Sequence, residues 1–166
     1  MAQPAFAARQ SERTNMQHTH FGRTLRGLLA TLAAGLTALG AQAEVGQIKV
    51  AKGQVSVDRN GQVLPAQVGM LLEAADVLKT GADGSVGITM RDNSLLSAGP
   101  NSILALERFE FDPTTSQGRF DTQLRRGTLS VVSGRIAKQS PEAMTVRTPS
   151  AVLGVRGTEF VVAVDD

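Results

Sequence analysis

From Val45 onward, apolar and polar residues alternate in short runs, and Gly, Pro, Asn or Asp breaks them about every 8–12 residues. That spacing predicts an all-β domain of short strands. No window of helical length keeps a 3.6-residue apolar period. The nearest, residues 68–77, is interrupted by Gly69 and carries Ala74-Ala75-Asp76 where a stripe would continue. The first hairpin follows from its turn. Asn60-Gly61 matches a two-residue type I′ loop, whose two central positions both need positive φ. It sets Arg59 against Gln62, Val57 against Leu64 and Val55 against Ala66. The apolar partners then share one face, with Ser56 and Asp58 on the other.

A second hairpin is expected from residues 85–90 and 95–98. Of two registers, the longer loop is preferred, placing Met90 opposite Leu96 and Ile88 opposite Ala98. Gly99-Pro100-Asn101 makes the next corner, and Ile103 to Leu106 reads as the next strand. Residues 107–117 read as an insertion, mixing Phe109 and Phe111 with three carboxylates and ending in turn formers. Strands resume over 120–125 and 128–132, and a polar corner ending at Pro141-Glu142 precedes the terminal pair.

Upstream of this β pattern, Arg23 and Arg26 precede an uncharged Leu/Ala run over residues 28–39, and Ala41-Gln42-Ala43 has the small-x-small form of a cleavage site. Residues 1–43 therefore read as a secretory signal peptide, with Met16 as an alternative start, and residues 44–166 as the exported domain. The competing reading is an uncleaved anchor, since residues 27–43 reach the short limit for a spanning helix; membrane attachment is expected in that case alone. There is no cysteine to carry a lipid, and the leader has no twin-Arg pair.

Removing the leader changes the charge balance. Four of the 17 basic residues and one of the 15 acidic residues lie before Glu44, so the remainder carries 13 and 14, a formal −1 instead of +2. That excludes a nucleic-acid footprint. The two histidines, His18 and His20, are both in the leader, and Cys, Trp and Tyr are absent throughout. The domain thus has no disulfide, and no side chain that ordinarily titrates near neutrality.

Those absences remove most site chemistry. Zinc and copper sites draw on His or Cys, and no calcium-loop or phosphate-loop pattern occurs, so no metal or cofactor is expected. A Ser-Lys pair, Lys138 with Ser140, falls in a Pro-ended turn. A two-carboxylate glycosidase pair drawn from Glu107, Glu110 and Asp112 would lack the Trp or Tyr that stacks on sugar rings. The expectation is that the protein is not an enzyme. Arg119, Arg125, Arg126, Arg135 and Lys138 form the densest basic set. They read as a solvated face balanced by Glu107, Glu110, Asp112 and Asp121, or as the rim of a site for an acidic partner.

Near the C-terminus, Val146-Arg147-Thr148-Pro149-Ser150-Ala151 leads through Gly154-Val155-Arg156-Gly157-Thr158 to Phe160. Asp76-Val77-Leu78-Lys79-Thr80-Gly81, Asp83-Gly84, Asp92-Asn93-Ser94, Gly99-Pro100-Asn101-Ser102 and Leu124-Arg125-Arg126-Gly127 precede it in order. This ordered set, with Gly69 before it, resembles the FecR family of bacterial envelope proteins. The resemblance implies a solenoid-like stack of short strands and hairpins; the pattern by itself allows a sandwich or barrel equally. In the best-known members this β part follows a cytoplasmic anti-sigma segment and a membrane helix, and senses the signalling domain of an outer-membrane transporter. The leader here is shorter than that segment, and those regulators continue past the point matching Asp166. A FecR-like periplasmic module without the anti-sigma segment is therefore implied.

The family-motif residues Thr148, Pro149, Arg156, Gly157, Thr158 and Phe160 are read as structural. Arg156 in its glycine-flanked corner is taken as a buttress for nearby carbonyls or a carboxylate, because both flanking strands read as deeply buried. The expected function is recognition of an envelope protein through an exposed end or edge strand, such as the one ending Val162-Ala163-Val164. Phe109, Phe111, Arg119, Arg125 and Arg126 are the candidate contacts. A glycan-binding or cell-wall module and a structural piece of an envelope assembly are the alternatives.

Overall fold

The computed structural model describes residues 43–155 and 159–165. Twelve strands form one curled, largely antiparallel sheet. The strands are β1 (Glu44–Lys52), β2 (Val55–Arg59), β3 (Gln62–Pro65), β4 (Leu71–Glu73), β5 (Val77–Thr80) and β6 (Ser85–Met90). They continue as β7 (Leu95–Ala98), β8 (Ile103–Phe111), β9 (Gly118–Val132), β10 (Met144–Arg147), β11 (Val152–Gly154) and β12 (Glu159–Val164). A short helix α1 (Arg135–Gln139) and a 3-10 turn (Pro141–Ala143) link β9 to β10. No described helix is long and apolar enough to cross a membrane.

The long strand β9 holds the sheet together. Up to Arg126 it lies between β8 and β10; from Gly127 it lies between β7 and β12. The sheet is thus creased into two limbs. Limb I runs β3-β2-β5-β8-β9-β10-β11, and limb II runs β4-β1-β6-β7-β9-β12. At the crease Gly127 has φ +84°, and a Cβ there would collide with Ser102 Oγ, so both the backbone angle and the space call for glycine.

Alternation generates the core. In β6 every second residue, Val86, Ile88 and Met90, is buried, and in β7 so are Leu96 and Ala98. These side chains join Leu78, Leu104, Phe120, Leu124, Leu129 and Val131 in one continuous cluster on the inner faces of both limbs. Each fully buried Leu, Ile or Phe contributes about 1.5–3 kcal/mol.

The all-β expectation is met. The strand order describes one curled sheet and does not by itself establish the solenoid-like form implied by the resemblance. Every pairing but β10 on β9 is antiparallel, and the sheet curls through its hairpins. The Asn60-Gly61 hairpin has the expected register, with φ of 53° and 83° at the turn.

The second hairpin needs correction. Ile88 faces Leu96 and Val86 faces Ala98, two residues tighter than the preferred register. Asn93 takes φ 67°, its N–H reaches Met90 O at 3.0 Å, and Asp92 Oδ1 accepts the Ser94 N–H at 3.0 Å. These bonds close a shorter turn, and a shift by two leaves every side chain on its expected face. Residues 107–117 are not an insertion either. β8 runs on to Phe111, and the turn proper is confined to residues 112–117, where Asp112 Oδ1 accepts the Thr114 N–H at 2.8 Å.

Candidate functional site

The dispersed motif residues converge on interior locks. Asp76, which is 1% exposed, accepts two hydrogen bonds from Arg59, Nε at 2.9 Å and Nη2 at 2.7 Å, and a third from the Glu73 N–H. The Asp76 carboxylate raises the Arg59 pKa above its ordinary value. Thr80 Oγ1 donates to Gly99 O at 2.7 Å and accepts the Ser102 N–H at 2.8 Å. Ser102 Oγ in turn accepts the Thr128 N–H at 3.0 Å, beside Gly127. One chain of hydrogen bonds therefore clasps the Gly99–Ser102 corner to the crease in β9.

A second lock joins limb II to α1. Buried Asp92 accepts from Ser94 Oγ at 2.8 Å and from the Ile136 N–H at 3.3 Å, and Ser94 Oγ accepts the Gly134 N–H at 2.9 Å. No buried side-chain polar atom among the described residues lacks a partner. These motif groups have spent their hydrogen bonds inside the fold.

The expected contact residues scatter over limb I. Phe109 and Phe111 lie in β8 rather than in a loop, half-buried against the core, with Phe109 edge-on to Phe120 at 5.3 Å. Arg135, on α1, lies 5.1 Å over the Phe111 ring and donates to Pro113 O at 2.6 Å and to Ser116 Oγ at 2.7 Å. It pins the 112–117 turn, a role that sequence reading missed because α1 left no periodic trace in five residues. Arg126 Nε donates to Asn101 O at 3.0 Å. Arg119 Nε pairs with Asp121 Oδ2 at 2.8 Å. Burial pushes the Asp121 pKa up, but hydrogen bonds from Arg119 and Thr145 outweigh it and hold the carboxyl below its ordinary value. Arg125 is exposed, with Nε on Gln123 Oε1 at 2.9 Å.

The carboxylates weighed as a glycosidase pair are likewise engaged. Glu110 pairs with Arg108 at 2.8 Å, Glu107 meets Arg147 at 3.3 Å, and Asp112 caps its own turn. Among the described residues no group of His, Cys, Asp or Glu is arranged to hold a metal ion.

In the C-terminal motif, Thr148 closes a tight turn: its N–H donates to Ala151 O at 2.8 Å and its Oγ1 accepts the Ala151 N–H at 3.0 Å, with Pro149 exposed at the tip. Arg156, Gly157 and Thr158 lie outside the described residues. The strands on either side are not deeply buried, contrary to expectation. Val152 is 67% and Val161 68% exposed, while the buried members are Val155 and Val162; Phe160 is half-buried. The reason is position, since β11 pairs with β10 alone and β12 with β9 alone. Apolar β-branched composition reads as burial on both faces, but it serves an edge strand buried on one.

Four strands therefore bound the described sheet: β3, β4, β11 and β12. β3 ends in Pro65, and β4 and β11 are three residues each. β12 is six residues long, with Glu159 at one end as its single charge and no proline, which leaves it without the usual edge protection. It also borders an uncharged surface. One register row on the outer face of limb II runs Val50, Gly87, Ser97, Ser130 and Val161 across five strands.

Compared with known proteins, the chain matches the family model described as FecR protein over residues 76–166. No curated protein and no solved structure matches it.

Proposed function

The chain belongs to the FecR family, whose members are sensing and regulatory domains of the bacterial envelope rather than enzymes, and from that premise we propose that it is an exported, non-catalytic module recognising a protein partner by strand addition at β12. The observation that carries this reading is the unprotected edge of β12: six residues, one terminal charge, one neighbouring strand. An added strand would satisfy the free backbone groups of that edge, and exposed Val161 and Ala163 would give it side-chain contacts. The saturated motif locks favour binding over chemistry, since their buried polar groups are bonded within the fold. The signal peptide over residues 1–43 would deliver the domain to the periplasm.

The test is photo-crosslinking in living cells, with the reactive side chain placed at Ala163 on β12 or at Val63 on the proline-ended edge β3. A discrete adduct from Ala163 alone, abolished by Val161→Lys without a change in melting temperature, is the expected result. Equal adducts from both edges would remove the special standing of β12. Adducts of the chain with itself alone would replace partner recognition with a structural envelope assembly. The N-terminal residue of this chain in the adduct, read in the same experiment, checks cleavage before Glu44.

A further inference from the structure

On the outer face of limb I, four carboxylates each have a cation. Asp58 pairs with Lys79 at 2.9 Å, Glu107 with Arg147 at 3.3 Å, Glu110 with Arg108 at 2.8 Å and Asp121 with Arg119 at 2.8 Å. Arg125 has no carboxylate partner among the described residues. Its Nε is held by Gln123 at 2.9 Å, which orients the guanidinium and leaves its two terminal amino groups available. It borders an open groove of about 460 Å³ together with Arg108 and Arg147. The groove also touches Ala75, Val77 and Ala105, small apolar side chains from the loop before β5, from β5 and from β8.

The form of the groove indicates a ligand class. Three arginines and two acids, Glu107 and Asp121, border it, giving a local charge of +1. A single carboxylate neutralises that charge, whereas a dianionic phosphate would overshoot it beside two existing carboxylates. A guanidinium with both amino groups available matches the two oxygens of a carboxylate in a bidentate pair. The small apolar side chains accommodate the methylenes of an acidic side chain without a polar group to bury. We propose that this groove binds the side-chain carboxylate of an acidic peptide segment, with Arg125 making the two-point contact and Arg147 acting as the second cation. It is a second recognition surface, on the limb away from β12, and it stands whether or not strand addition at β12 holds.

The experiment is fluorescence polarisation with the full chain and a labelled Glu-rich peptide at low salt, its Gln-rich counterpart, and inorganic phosphate as competitor. The Glu peptide is expected to bind and to weaken as salt rises, and the Gln peptide to bind at least about tenfold more weakly. Arg125→Gln should weaken Glu-peptide binding by about tenfold or more, Arg125→Lys by less, since it keeps the charge and loses the fork. Val161→Lys should leave it unchanged, which separates this surface from the β12 edge. Equal binding of the two peptides, or full binding by Arg125→Gln with an unchanged melting temperature, overturns the proposal. Displacement of the peptide by phosphate at comparable concentration overturns it in favour of a phosphate site.

Discussion

Replacing Thr80 with valine removes one oxygen and keeps the shape and β-branching of the side chain, so strand propensity is untouched. The site is 8% exposed, and water has little access to replace what is lost. Two short hydrogen bonds go, the donation to Gly99 O and the acceptance from the Ser102 N–H, together with a longer donation to Ser102 O at 3.5 Å. The Ser102 N–H then stays buried without a partner, a cost of about 1–3 kcal/mol. The Gly99 carbonyl lies at a half-exposed corner and adds about 0.5–1 kcal/mol at most. The new methyl returns something under about 0.8 kcal/mol by burial. The net expectation is a loss of about 1–3 kcal/mol, or a fall in Tm of roughly 4–12 °C for a domain of this size. With neither Trp nor Tyr in the chain, far-UV circular dichroism or calorimetry is the suitable readout. Thr80→Ser, which keeps the hydroxyl, should retain most of the stability. A loss below about 0.5 kcal/mol in Thr80→Val would refute the claim that this motif threonine is a structural lock.

Two further outcomes follow from the same structure. Gly127→Ala forces a Cβ into φ +84° and against Ser102 Oγ; it should cost about 1–3 kcal/mol, with hydrogen exchange accelerating first at the crease in β9, and an unchanged melting curve would mean that β9 is not bent there. The carboxyl of Asp121 titrates below its ordinary value in the folded state, so the folded chain binds fewer protons there than the unfolded one. Its stabilisation is complete above the unfolded value of about 3.9 and declines as pH falls through the folded value. Asp121→Asn should therefore flatten the acid limb of the stability profile, and an identical limb in both proteins would contradict the assignment.

The parts of the fold readable in the sequence are those set by local chemistry. Asn60-Gly61 dictates its own register because both residues tolerate positive φ. Alternation in β6 and β7 identifies the buried face even where the register is displaced, because an even shift preserves the faces. What could not be read depends on contacts distant in sequence. Phe109 and Phe111 look like loop aromatics among carboxylates until Gly118 to Phe120 pairs alongside them. Val152 and Val161 look like core until the sheet stops at β11 and β12. Arg135 acquires its role only when α1 sets it beside the turn that follows β8.

The buried polar residues of the family motif and the groups that would bind a partner are different residues, for a physical reason. A buried polar group must have its partners inside the fold, so Asp76, Thr80, Asp92 and Ser102 are committed to holding the corners and the crease. Such groups are costly to change and have nothing left to offer a ligand. Recognition needs the opposite condition, groups whose bonding capacity the fold leaves unused. β12 meets it with backbone along an unpaired edge, and Arg125 meets it with two amino groups beside a groove. Both are exposed, so Val161→Lys should abolish capture at β12 and Arg125→Gln should weaken acidic-peptide binding by about tenfold or more, each at nearly full stability, while changes in the locks should lower stability before they alter any affinity.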